Sequence, residues 1–318
     1  MFDLSGSRVW VAGHRGMVGS AVWRALEAHR VGELIGWTSA ELDLTDRSAT
    51  LDAVGEARPD VVVVAAARVG GIGANSADPV GFLQDNVRIQ TNVMEAAHLA
   101  GVDRLLFLGS SCIYPRLAPQ PLEPSSLMTG PLEPTNDGYA IAKLAGLVHV
   151  QGHRRQHGRR WISAMPTNLY GPGDDFDLES AHVLPALIHR FEAARRDGVA
   201  SVTLWGTGTP RREFLHVDDL ARACVTLLER YDDDAPINVG TGEDLTIAEL
   251  ATLVADVVGF DGRIDWDTTR PDGTPRKVLD VVPMRALGWG PTVGLREGIA
   301  ATHAWFIEHA LAVSGGPG

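Results

Sequence analysis

Tyr139 and Lys143 stand at positions i and i+4 of Tyr139-Ala140-Ile141-Ala142-Lys143, a spacing that puts both side chains on one face of a helix. A phenol with a pKa of about 10 is a poor acid or base near neutrality, and an adjacent cation lowers that value toward a useful range. The same ammonium can hydrogen-bond a ribose hydroxyl. Such a pair is common on protein surfaces, so its meaning depends on what else reaches it. Gly109-Ser110-Ser111-Cys112 follows the apolar run Leu105 to Leu108, and the carboxyl ends of strands in open parallel sheets form the ligand crevice. Ser110 can therefore meet the Tyr139/Lys143 pair there and donate to a substrate carbonyl or hydroxyl. Cys112, just past a core strand, has a plainer reading as a buried, inert thiol.

A second chemistry-bearing stretch is Gly13-His14-Arg15-Gly16-Met17-Val18-Gly19. Gly13, Gly16 and Gly19 permit a tight turn and let backbone approach a pyrophosphate, which then sits at a positive helix N-terminus with Arg15, Met17 and Val18 around it. Downstream, Glu41-Leu42-Asp43-Leu44-Thr45-Asp46 places Asp43 where an adenine edge would lie. The plainer reading of this cluster is a helix cap at Thr45 or Asp46.

The elements that must position these groups follow from hydrophobic pattern. Strands are expected at Arg8–Ala12, Leu34–Trp37 (weakened by Gly36), Val61–Ala65, Leu105–Leu108 and Trp161–Met165, with helices at Val18–His29, Arg47–Ala57, Phe82–Leu99 and Tyr139–Gln156. Strands without period-two alternation are buried on both faces, and intervening helices supply crossovers. The fold class is α/β, a Rossmann-type doubly wound parallel sheet. After Pro166, Gly and Pro become frequent, with short helices expected at Leu184–Arg195, Val217–Arg230 and Ile247–Val257. This predicts a smaller C-terminal α/β lobe that carries ligand-binding loops. The division is residues 1–170 for the dinucleotide, with a returning segment near 214–242 that includes Ile237–Val239, and 171–318 mainly for substrate. A Gly/Pro tail from Ser314 to Gly318 should be frayed.

The 318 residues are 45% hydrophobic and 21% charged, an ordinary globular composition that excludes a disordered chain. The longest apolar stretch ends at Arg68 after Val61 to Ala67, too short to span a membrane, and the start lacks the pattern of a secretory signal. Two cysteines, Cys112 and Cys224, make neither a disulfide framework nor a zinc site, so no metal is expected and a reducing, cytoplasmic compartment is the default. Cys224 lies on the apolar side of an amphipathic helix and is expected in the core. With 28 basic and 40 acidic residues, the net charge of −12 argues against nonspecific nucleic-acid binding. An acidic protein that binds an anion must gather cations locally. Arg190, Arg211-Arg212 and Arg276-Lys277, the last two pairs following Gly-rich turns, are candidates for a diphosphate. Trp205 either stacks on a base or fills the core. Among eleven histidines, His182 follows a Gly/Asp-rich loop and precedes a helix, as a mobile acid would, whereas His216 can equally be a supporting residue.

The glycine triplet, Ser110 and Tyr139/Lys143 together resemble the extended short-chain dehydrogenase/reductases, which act on nucleotide sugars. The blocks Ala67–Ile72, Gly109–Pro115, Met165–Pro172, Arg212–Asp219 and Pro271–Lys277 are similar, in order, to the GDP-L-fucose synthase branch of that family. The resemblance implies an NADP(H)-dependent homodimer that converts GDP-4-keto-6-deoxy-D-mannose to GDP-L-fucose by 3,5-epimerisation and 4-keto reduction. It implies Cys112 as the proton-abstracting base and His182 as the acid on the opposite face. Ser110 and Tyr139 would then steady the enolate oxygen, and Tyr139, tuned by Lys143, would protonate carbon 4 oxygen in the reduction. It places Asn168, Arg190, Trp205, Arg212 and Lys277 against the GDP-sugar, and Asn168 and His182 also near the cofactor. The alternative is an epimerase or 4-keto reductase on another nucleotide sugar, such as a GDP-heptose. One departure stands out. No arginine or lysine lies between Arg30 and Arg47, where the family carries an arginine for the 2′-phosphate. Arg15, Thr38 and Ser39 remain as phosphate partners, and NAD(H) becomes a possible cofactor.

Overall fold

The computed structural model describes residues 1–270 and 272–310; Pro271 and the Ser314–Gly318 tail lie outside them. The chain lays down β1 (Arg8–Ala12), α1 (Met17–Ala28), β2 (Glu33–Ile35), α2 (Arg47–Ala57), β3 (Val61–Val64), α3 (Ile72–Ala77), α4 (Pro79–Leu99), β4 (Arg104–Leu108), α5 (Asp137–His157) and β5 (Arg160–Pro166). Short strands β6 (Asn168–Tyr170), β7 (Ser201–Trp205), β8 (Arg211–Arg212) and β9 (Phe214–His216) follow, with α6 (Val183–Asp197) between β6 and β7 and α7 (Val217–Arg230) after β9. The chain then runs through β10 (Ile237–Val239), β11 (Leu245–Thr246), α8 (Ile247–Val258), β12 (Arg263–Asp267), β13 (Arg276–Lys277), α9 (Val282–Ala286) and α10 (Leu295–Trp305).

Six strands form one parallel sheet in the order β10-β5-β4-β3-β1-β2. Ile237–Val239 is the edge strand beside β5. The central strands feed two cores in alternation. Val9, Val11, Val61, Val63, Leu106 and Leu108 pack on one side with α1 and α7 residues such as Leu26 and Leu227. Trp10, Val62, Val64, Leu105 and Phe107 pack on the other with Val93, Met94 and Val150 of α4 and α5. Each fully buried side chain of this size contributes about 1.5–3 kcal/mol, so the unbroken Val61–Val64 run serves two faces at once. Cys224 is buried in the first of these cores, as expected. Strand order reverses between β1 and β3, and crevices open at such a switch point beyond the carboxyl ends of the strands.

A third core joins α6, α8 and α10 through Leu187, Phe191, Leu250, Val254 and Ile299. Glu213, fully buried, ties this half together. Its carboxylate accepts from Gly242 N at 2.7 Å and Leu279 N at 2.8 Å. The backbone oxygen of Glu213 accepts from Asn168 Nδ2 at 2.7 Å. The small strands are equally consequential, because β8 pairs in parallel with β13 so that Arg211 faces Arg276 and Arg212 faces Lys277.

Candidate active site

The glycine loop after β1 has the shape of a dinucleotide cradle. Gly13 adopts φ +86°, and a Cβ there would stand 2.7 Å from Ala66 backbone beyond β3. A Cβ on Gly19 would stand 2.0 Å from the Gly13 oxygen, so α1 can approach the loop only with hydrogen at that position. Gly16, the N-cap of α1, meets no close neighbour and provides no side-chain cap. The first amides of α1 are thus left for an anion at the positive end of the helix. Residues and space fit the pyrophosphate of a dinucleotide. Arg15 is exposed beside this turn. Asp43 is engaged locally, accepting from the Thr45 amide at 2.9 Å and the Thr45 hydroxyl at 2.7 Å. Asp46 rather than Thr45 caps α2, through Ala49 N at 3.1 Å.

Past the end of β2 one of the expected phosphate partners, Thr38, is already occupied. Thr38 donates both its amide and its hydroxyl to Glu41 Oε2, each at 2.8 Å. Hydrogen bonds from Thr38 hold the Glu41 carboxyl below its usual range, with His14 and Arg15 adding to the effect. Both donors of Thr38 are therefore taken by a carboxylate.

The acid–base cluster sits past β4. Ser110 caps the short turn Ser111–Ile113, and its Oγ accepts from Cys112 N at 3.2 Å. The same hydroxyl acts to lower both the Cys112 thiol and the Tyr139 phenol. Burial alone would push the Cys112 thiol up, but the Lys277 ammonium, with Ser110 and Asn136, outweighs it and holds the thiol below its ordinary range. Lys277 Nζ lies 3.7 Å from Cys112 Sγ. Cys112 is thus no inert core thiol, in contrast to Cys224, which burial pushes up to about 12.

Tyr139 corrects one expectation. Burial, with the charge of Cys112 adding to it, raises this phenol above its ordinary value, and Ser110 offsets only part of the rise. Lys143 does not bond the phenol. Its Nζ lies 5.9 Å from the Tyr139 ring centroid and donates to Leu108 O at 2.9 Å. Burial brings Lys143 itself down to about 8. In this state the ammonium anchors α5 to the end of β4, and Ser110 rather than Lys143 is the group that acts to lower the phenol.

His182 is the N-cap of α6 and is exposed. Desolvation by the surrounding protein lowers its imidazole below the ordinary value, Asp175 opposes that, and Lys277 adds to it. The ammonium of Lys277 therefore acts on both thiol and imidazole. His216 supports the scaffold instead, capping α7 with its Nδ1 3.3 Å from Asp218 N.

Of the candidate cations, the strand register sorts two from two. Arg211 Nε bonds Asp244 Oδ1 at 2.8 Å, and Arg276 bonds the other oxygen of the same carboxylate. Both are committed to holding the turn before β11. Arg212 and Lys277, one position on and therefore on the other face, turn toward Cys112. Burial lowers the Arg212 guanidinium, and Cys112, Glu133 and Asp272 partly restore it. Arg190 is half-buried on α6 and forms no side-chain hydrogen bond or ion pair with the described residues. Trp205 is 63% exposed, with the Arg270 guanidinium 4.9 Å from its ring centroid, so the core alternative does not hold. A cavity of about 340 Å³ opens beside Tyr139, lined by Asn75, Pro79, Thr135, Asn136 and Gly138 among others. Sequence reasoning did not single out Asn136, Asp175 or Glu213. Only Glu213 left a signal, a lone carboxylate entering the apolar run Phe214-Leu215.

A dinucleotide cradle next to a Ser/Tyr/Lys set defines a nicotinamide-dependent oxidoreductase or epimerase of the short-chain type. The model of the NAD dependent epimerase/dehydratase family matches residues 9–240. GDP-L-fucose synthase 1 of Arabidopsis thaliana is 52% identical over 303 residues, covering 95% of this chain and 94% of that one. Among solved structures, a GDP-L-fucose synthetase from Naegleria fowleri bound to NADP superposes with a TM-score of 0.89 at 27% identity, covering 98% of this chain and 97% of that one. A GDP-6-OMe-4-keto-L-xylo-heptose reductase from C. jejuni gives 0.90 at 31% identity, covering 96% and 99%. The chain belongs to the NAD dependent epimerase/dehydratase family, within the branch that the GDP-L-fucose synthases form.

Proposed function

We propose that this protein converts GDP-4-keto-6-deoxy-D-mannose to GDP-L-fucose, inverting carbons 3 and 5 and then reducing carbon 4. The observation that carries this reading is the Cys112 thiol, held low 3.7 Å from Lys277, with a Ser110 hydroxyl that acts to lower both the thiol and the Tyr139 phenol. A reductase alone needs the phenol but has no use for an activated thiol. Similarity at 52% identity to a fucose synthase, against 31% to a heptose reductase, favours the same substrate.

A 4-keto group acidifies the C–H bonds on either side of it. The thiolate of Cys112 removes one such proton, and the electron pair moves onto the ketone oxygen, where Ser110 and Tyr139 donate hydrogen bonds. His182 returns a proton to the same carbon, which inverts it; once solvent has taken the proton from Cys112 and restored that of His182, the cycle repeats at the second carbon. Bound NADPH supplies a hydride for carbon 4. Tyr139 delivers the proton to carbon 4 oxygen, and Lys143, fixed to Leu108 O, keeps α5 and the phenol in register with Ser110. Arg212 and Lys277 take the diphosphate, with Asn168, Arg190 and Trp205 along the rest of the GDP-sugar. Gly13, Arg15, Gly16, Met17, Val18, Gly19 and Asp43 hold the dinucleotide, with Lys143, Asn168 and His182 near its reacting end. Residues 1–170 with the segment near 214–242 act as the cofactor unit, and the remainder as the substrate lobe.

Product NMR after reaction with the keto sugar tests this function by reporting configuration at all three carbons. Cys112→Ser should abolish deuterium incorporation from solvent while sparing cofactor binding; unchanged exchange would assign the base elsewhere. We further infer that NADPH is used with weakened discrimination against NADH, because Glu41 occupies the donors at Thr38. The working state is a homodimer in the cytoplasm, paired through α4 and α5, where Val80, Ile141 and Val148 are exposed; light scattering would report a monomer if that pairing is wrong. No helix among the described residues is long and apolar enough to cross a membrane.

A further inference from the structure

We propose that His98, His153 and His157 form a binding site for a zinc-class divalent ion that fastens the end of α4 to the end of α5. The site lies about 20 Å along α5 from Tyr139, at 1.5 Å per residue, and no step of the reaction uses it. His153 and His157 are one helical turn apart on α5, so both rings project from one face. His98 reaches them from the last turn of α4. One ring nitrogen from each of the three lies within 4.8 Å of the other two.

Tetrahedral zinc with bonds of about 2.0–2.1 Å to nitrogen needs its ligands about 3.4 Å apart. The gap to be closed is small, and it falls on the rings best able to move: His157 is exposed and His98 half-exposed. His153 is the fixed member, 9% exposed and packed on Trp161 with ring centroids 4.2 Å apart.

The second observation concerns the protons. His153 Nε2 lies 3.2 Å from His149 Nε2, while His153 Nδ1 is buried with no partner. If Nε2 donates to His149, a lone pair is stranded at Nδ1, and a metal ion satisfies it. His149 then plays the part that outer partners play toward ligating histidines, fixing the tautomer and orientation of the ring. Charges facing the cluster are mixed. Arg159 lies 3.5 Å from His98 Nδ1 and opposes a second cation, while Glu95 faces His149. Three imidazoles and an open fourth position suit zinc, copper or nickel rather than magnesium or calcium. The two cysteines that argued against a zinc site play no part here.

The test is zinc titration of chelator-treated protein by calorimetry, in a Cys112→Ser background so that the active-site thiol cannot compete. We expect one zinc per chain. His157→Ala and His98→Ala should each weaken binding by about a hundredfold or more, and His149→Ala by about 10- to 100-fold. His153 stays in place because it packs on Trp161, and thermal melts confirm that the other variants remain folded. No uptake, or an isotherm that His98→Ala and His157→Ala both leave unchanged, overturns the site. A cobalt(II) spectrum of tetrahedral N/O character would support it, and a six-coordinate spectrum would refute it.

Discussion

Replacing Lys277 by Gln isolates the interaction on which the proposed base depends. The ammonium lies 3.7 Å from Cys112 Sγ. At that separation a unit charge pair is worth about 4 kcal/mol at an effective dielectric of 20 and about 1 kcal/mol in bulk water. The thiol is half-buried, so the working value lies between these limits, at about 2 kcal/mol. Loss of the charge should therefore leave roughly 30-fold less thiolate at a given pH. Iodoacetamide reacts with the thiolate, and its rate against pH reads that population directly in enzyme without substrate. Cys224 is buried with its thiol pushed up to about 12, and serves as an unreactive internal reference. Lys277→Gln should slow alkylation at neutral pH by about 10- to 30-fold and move the profile to higher pH, while Lys277→Arg should restore most of the rate. Because no nucleotide sugar is present, weakened diphosphate binding cannot produce the effect. A Lys277→Gln profile that overlays the parent would mean that Ser110 and Asn136 activate the thiol, and the ion-pair reasoning would fall.

Other outcomes follow from single contacts. Asp175 opposes the lowering of His182, so Asp175→Asn should lower that imidazole further. Since the acid works only when protonated, the alkaline fall in deuterium incorporation should move to lower pH; an unmoved limb refutes the pairing. NADPH should be preferred over NADH by less than about a thousandfold in kcat/KM, about 4 kcal/mol, and Ser39→Arg should widen the ratio by about tenfold or more. A parent ratio above that bound would show that Arg15 suffices. Gly13→Ala forces a Cβ to within 2.7 Å of Ala66 at φ +86°; it should cost about 3 kcal/mol in urea unfolding and weaken dinucleotide binding. Wild-type stability in that variant would show that the loop can shift.

Much of the positioning was legible in one dimension because it rests on local rules. Val61–Val64 has no polar face, so it had to be a strand covered twice. Gly13 and Gly19 had to be glycines because backbone stands where their side chains would be. Tyr139 and Lys143 share a helix face by spacing alone. What each group contacts was decided by chain brought from elsewhere. Lys277 meets Cys112 across 165 positions, and Arg212 and Lys277 rather than Arg211 and Arg276 face the thiol because β8 and β13 pair in that register. The Lys143 ammonium was expected at the phenol, yet the carbonyl at the end of β4 lay in reach and took it. Likewise Thr38 bonds Glu41 only because the turn after β2 folds back on itself. Residue types and short spacings set which chemistry was available to this chain. Charges, hydrogen bonds and desolvation act over a few ångströms of space regardless of sequence distance, so which base is activated, and by what, was settled only by the tertiary fold.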